Sequence, residues 1–147
     1  MADNPFGPDV DAGVIAYLRP LFPTSGSDKV TFSDVFPLDG AFAAGQLVVA
    51  RCTFAATVDP RFTSTAETTV DVWMRGRKQA LLAAKKIAAA LTRVGGFPLV
   101  EDGERTGVVT QGVATLLPIR TDSGDPNNVY VRYVATYDLS VRATAAA

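Results

Sequence analysis

Acidic side chains are the only chemistry-bearing type that clusters locally in this chain. Glu101, Asp102 and Glu104 form one group, and Asp122 and Asp125 flank Gly124 in another. Carboxylate groups of this kind hold hard cations, but an EF-hand loop needs alternating ligands closed by a bidentate Glu, and neither stretch has that spacing. Both read as solvated loops. Two carboxylates can also run acid-base chemistry, yet no spacing here singles out such a pair. The chain has no histidine, so Ser-His-Asp and Cys-His nucleophiles and the common His/Cys zinc sites cannot be assembled. It also lacks a GxxxxGK loop and a GxGxxG turn after a strand, the usual phosphate cradles. Cys52, the single cysteine, lies in an apolar stretch and reads as a small packed residue, because buried cysteine behaves mainly as a hydrophobe. The expectation is no catalytic, cofactor-binding or metal-ligating residue, hence no enzyme and no cofactor.

The elements are what such a chain offers instead, and the clearest block runs from Thr69 to Gly96. Val70, Val72 and Met74 alternate as in a strand. Ala80, Leu81, Ala84, Ile87, Ala88, Leu91 and Val94 then recur with a helical period, which builds a strand and the helix covering it. Gly95 and Gly96 stop that helix and Pro98 blocks its continuation. Upstream, Asp9 caps a short helix that carries Val14, Tyr17, Leu18 and Leu21 on one face and ends at Pro20 and Pro23. Weak alternation over Val30 to Val35 and an apolar run over Gln46 to Ala56 read as strands. Thr57 to Thr68 is polar and without a period, so it reads as a protruding loop. Val108 to Ile119 reads as a strand and Thr121 to Asn128 as a loop. From Val129 to Val141 the odd positions are apolar or aromatic, whereas Arg132, Thr136, Asp138, Ser140 and Arg142 mark the other face. The predicted fold is α+β: a single mixed, mostly antiparallel β-sheet with a long amphipathic helix and a short N-terminal helix packed on it, in one domain over 1–147.

A chain of 147 residues buries roughly 70% of its unfolded surface, enough for a core without disulfide or metal. Its formal net charge of -1 gives no bulk pull on nucleic acid or on an anionic membrane. The start, MADNPFGPDVD, lacks the basic and apolar regions of a signal peptide, so a soluble cytosolic product and no membrane partner are expected. Charge is nevertheless distributed unevenly. Arg75, Arg77, Lys78, Lys85, Lys86 and Arg93 occur with no acidic residue between Met74 and Val100. Arg75, Lys78, Lys85, Lys86 and Arg93 lie opposite the apolar stripe, as on a solvated helix face. The competing reading is a basic face that meets DNA phosphates or an acidic protein partner. Leu82 projects among these basic residues and suits a subunit contact better than a core position.

The order of these elements resembles the tail terminator (tail completion) proteins of long-tailed, siphophage-like bacteriophages. The residues that carry the likeness are the VVAR strand at Arg51, the strand with Asp71, Val72 and Trp73, and the Ala-rich helix running into Gly95 and Gly96. Asp125-Pro126, Arg132-Tyr133, Thr136, Leu139 and Val141-Arg142 complete it. The likeness implies a structural virion protein that forms a hexameric ring on the tail tube, ends tube polymerisation and joins the tail to the head. Its implied partners are further copies of itself, the tail tube protein and a head/neck connector protein. DNA would pass through the lumen without specific binding. The implied location is the head-tail junction of the virion, after synthesis in the host cytoplasm. Contacts are expected on the two polar loops, at Arg61, Phe62, Thr63, Asp122, Asp125, Asn127 and Asn128, and on the helix at Leu82, Lys85 and Lys86. Two alternatives stay open: another neck component, such as a head-completion or stopper protein, and a small α+β ligand-binding domain or enzyme using carboxylates or Tyr130, Tyr133 and Tyr137.

Overall fold

The computed structural model describes residues 9–35, 45–55, 64–125 and 129–143. Along them lie helix α1 (Val10–Leu18), a 3-10 turn (Arg19–Leu21), β1 (Val30–Ser33), β2 (Gln46–Ala55) and β3 (Ser64–Arg75). Helix α2 (Arg77–Leu91), β4 (Phe97–Glu101), β5 (Glu104–Thr121) and β6 (Tyr130–Ala143) follow. The strands form a six-stranded sheet in the order β1-β2-β3-β6-β5-β4. β1 runs parallel to β2, and the remaining neighbours are antiparallel.

This architecture corrects the expected α+β fold with a long amphipathic helix packed on a sheet. The structure is mostly sheet (53%), with 24% helix in two short helices, so a six-stranded half-barrel is the body of the molecule. The cause lies at the element ends. Gly76, with a φ of 82°, delays α2 until Arg77. At the far end the Thr92 hydroxyl and amide both donate to the Ala88 carbonyl, at 2.6 and 3.1 Å, and close the helix after Leu91. Val94, which the helical period had included, is left 97% exposed. The strands gain what the helix loses. Ser64 to Thr68, read as loop, belongs to β3, with Ala66 and Thr68 buried between exposed Thr65 and Glu67. The acidic stretch at Asp102 is a two-residue hairpin turn, because Asp102 and Gly103 take φ of 49° and 80° and let β4 turn directly into β5.

Both helices cover one face of the sheet. There Val70, Val72 and Met74 of β3 and Val131, Tyr133, Ala135, Tyr137, Leu139 and Val141 of β6 are buried against Val14 and Leu18 of α1 and Ala80, Ala84, Ile87 and Leu91 of α2. Each large aliphatic side chain so buried contributes about 2 kcal/mol. Val129, the first residue of the same alternation, precedes β6 and is exposed. Tyr17 fastens the two helices together: its ring stacks on Phe97 at 4.0 Å and its hydroxyl donates to the Ala90 carbonyl at 3.1 Å. The end of α2 lies so close over β5 that a Cβ on Gly112 would meet the Leu91 carbonyl oxygen at 1.9 Å. Only a hydrogen fits in that space.

Tyr137 is fully buried and its hydroxyl has no hydrogen-bond partner among the described residues. Burial lifts its pKa from the usual 10.0 to about 12. Gly112→Ala must push α2 off β5 and should cost about 3 kcal/mol in urea denaturation. Tyr137→Phe removes an unsatisfied buried hydroxyl and should stabilise by about 1 kcal/mol. The raised folded pKa also makes the parent lose stability as pH climbs from 10.0 toward 12, because the unfolded state gives up the proton first. The phenylalanine variant should lose less over that window, and equal slopes would contradict the assignment.

Candidate functional site

The expected contact residues fall in two separate places. Leu82 and Lys86 meet at a groove of about 250 Å³ between α2 and the segment after α1, where Phe22, Val30 and Met74 supply apolar walls. Leu82 is 52% exposed at its rim. Lys86 is exposed yet engaged: its ammonium donates to the Leu21 carbonyl and lies 5.0 Å from the centre of the Phe22 ring. It anchors the end of the 3-10 turn. Lys85 is exposed and does not line the groove. Arg61, Phe62, Thr63, Asn127 and Asn128 lie outside the described residues.

Asp122 and Asp125 shape their own loop. Asp122 Oδ1 accepts from the Gly124 amide at 2.9 Å, and Asp125 Oδ2 accepts from the amides of Val129 and Tyr130 at 2.8 and 3.0 Å. Such short-range bonds are what aspartate favours at turns. Asp125 is buried and aims the chain into β6. The same loop reaches back over the sheet, where the Trp73 indole donates to the Ser123 carbonyl at 3.3 Å.

Beneath that loop, on the face away from the helices, Leu47, Val49 and Trp73 form a second buried cluster. Asp71, only 1% exposed, accepts from Arg132 Nε and Nη2 at 3.0 and 2.5 Å through Oδ1. The guanidinium lies 4.8 Å from the Trp73 ring centre, a cation-π contact. Asp71 Oδ2 has no partner among the described residues. An acid this enclosed and ion-paired, with its cation held by an indole, ties β3 to β6. It has no approach for a substrate.

The largest feature that sequence reasoning missed is on β5. β4 pairs only with Glu104 to Val109, so beyond that point one edge of β5 has no neighbouring strand among the described residues. Val113, Leu116, Leu117 and Ile119 are exposed there, Leu117 at 69%. The pairing with β6 shifts register at three places along this stretch. Pro118 sits among them. The signal in the sequence was the Leu116-Leu117-Pro118-Ile119 run, which abandons the alternation of a strand with one solvated face.

Chemistry elsewhere is sparse. Among the described residues no three His, Cys, Asp or Glu side chains converge as a metal site. Tyr133 and Tyr137 are buried in the core, and Tyr130 accepts from Arg75 Nε at 3.3 Å. Cys52 is half-buried beside the Thr68 hydroxyl at 3.2 Å, and burial pushes its thiol far above the ordinary range, away from the reactive thiolate. Among the described residues no helix is long and apolar enough to cross a membrane. Compared with known proteins, the chain matches no family model and no curated protein.

The ion pair sets a stability prediction. Arg132→Ala leaves Asp71 charged and buried and should cost about 3 kcal/mol, whereas Asp71→Leu with Arg132→Met should recover most of it. Urea denaturation of the single and double variants reads both values.

Proposed function

We propose that this chain is an assembly protein that ends a phage tail. In this reading copies form a hexameric ring on the last ring of the tail tube, stop its growth and present a surface to a head/neck connector at the head-tail junction of the virion. DNA passes through the lumen unbound. The single observation that supports the reading most is the row of exposed apolar side chains on the open part of β5, Val113, Leu116, Leu117 and Ile119. Exposed apolar side chains gathered in one place mark protein contacts rather than catalysis. A contact between two different patches of one chain repeats by rotation and makes a ring when that rotation closes, and shape alone can stop a polymer whose next subunit no longer fits.

The chain should be monomeric in dilute solution and gather on tubes, where neighbours held by the template raise the effective concentration. Purified protein added to tail tube assembly should therefore cap tubes at a fixed length, with a ring at one end in negative-stain electron microscopy. Open tubes of unchanged length, or a stable one-to-one heterodimer without rings, would sink the reading. Attachment to filled heads but never to tails would move the protein to the neck.

A further inference from the structure

The groove beside α2 and the apolar run of β5 match in size, charge and level, yet one copy cannot join them. Phe22, Val30 and Met74 wall the groove, Leu82 stands at its rim, and Asp28 and Lys86 also line it. Its volume of about 250 Å³ exceeds the roughly 150 Å³ that admits a benzene-sized group. An aliphatic side chain therefore fits. β5 offers Leu117, 69% exposed, followed by Pro118 and by exposed Ile119 and Arg120. Neither the Arg120 guanidinium nor the Asp28 carboxylate makes a hydrogen bond or ion pair among the described residues. Arg75 feels the charge of Asp28, but its Nε is committed to the Tyr130 hydroxyl.

Three strand spacings, about 14 Å, separate β2 from β5, and α2 covers β3, β6 and β5. Leu117 thus cannot reach the groove of its own copy. The ladder sets the two surfaces at nearly one level. Arg120 lies in a row with Tyr133, Val72, Val48 and Phe32, and Val30, Gln46 and Met74 of the groove are two residues further along their strands. A neighbour standing alongside, strands in the same direction, meets the groove with little rise. Such a contact can close into a ring, whereas one with rise winds into a filament. Direction agrees as well. β5 runs toward the end of the sheet at which β1 starts and Asp28 lies, so Arg120 is on the Asp28 side of Leu117. Lys86 is on the other side, one turn beyond Leu82 as α2 descends from Arg77 to Leu91 over Gly112. A neighbour turned the other way would set Arg120 against Lys86, a like charge. Pro118 has no amide hydrogen to give to a ladder, which keeps the contact one of side chains. We infer that Leu117 of one copy fills the groove beside α2 of the next, with Arg120 paired to its Asp28. The inference takes the ring of the proposed function as its premise and names the two surfaces that join neighbours.

The test uses the full chain and the variants Leu117→Asp, Arg120→Asp, Asp28→Arg and Leu82→Asp, with folding checked by circular dichroism. All four positions are exposed, so the core stays intact in each. In sedimentation velocity at high micromolar concentration the wild type should associate, and each variant should do so about tenfold more weakly or worse. Arg120→Asp and Asp28→Arg combined in one chain should restore association, because the charge pair is reversed rather than lost. A wild type that stays monomeric, single variants that associate like wild type, or a combined variant no better than its parents would each overturn the pairing. Tail tubes that bind the wild type but not Leu82→Asp, with self-association unchanged, would assign the groove to the tube protein and overturn it too. Normal rings on tail tubes from Leu117→Asp would overturn the pairing and leave the tail reading standing. Rescue by the combined variant without any capping of tubes would do the reverse.

Discussion

The register between β3 and β6 is the constraint on which the rest of the molecule depends. Ser64 faces Val141 and Arg75 faces Tyr130, and every position between is paired in step without a bulge. That single alignment puts Val72 beside Tyr133 under the helices and Asp71, Trp73, Arg132 and Val134 on the other face. A slip of one residue would send the core side chains to solvent and bury the charges. Two locks hold the alignment, one on each face. Helix packing around Ile87 and Leu91 holds the first. The Asp71-Arg132 pair under Trp73 holds the second.

The two locks differ in kind. Apolar packing is non-directional and tolerates small displacement, whereas a buried ion pair is satisfied at one geometry and costly at others. The sheet therefore gains its cohesion on the helical side and its uniqueness on the other. This division also explains why so much of the second face can stay polar and open. Once Trp73, Leu47 and Val49 are covered, the positions farther along, from Thr69 and Glu67 to Asp138, carry no duty to the core.

Much of this was legible in the residues. The odd positions from Val131 to Val141 are all buried, because period-two alternation over a long strand leaves few other solutions. Asp9 does cap α1, its carboxylate accepting from the Ala12 amide at 3.1 Å. The length of α2 was not legible, since an alanine-rich helical period continues into Val94 while the stop is a local bond of the Thr92 hydroxyl. Lys86 looked like an ordinary solvated charge until the chain brought Leu21 and Phe22 beneath it. Asp122 and Asp125 looked outward-facing and turned out to bond their own backbone. The open side of β5 was hidden for a different reason. Periodicity reports which face of a strand is apolar, but an edge is a property of the sheet, decided by how short β4 happens to be.

The broken ladder along β5 bears on what kinds of error this molecule can make. An uninterrupted apolar edge would bind any extended segment through backbone bonds that ignore sequence, a capture that is slow to undo and grows into fibres. Pro118 has no amide hydrogen to offer, and the irregularities that shift the β5-β6 register at three places distort the same stretch, so it is a poorer template for an added strand. The stretch can therefore stay apolar and exposed without inviting strand-by-strand growth.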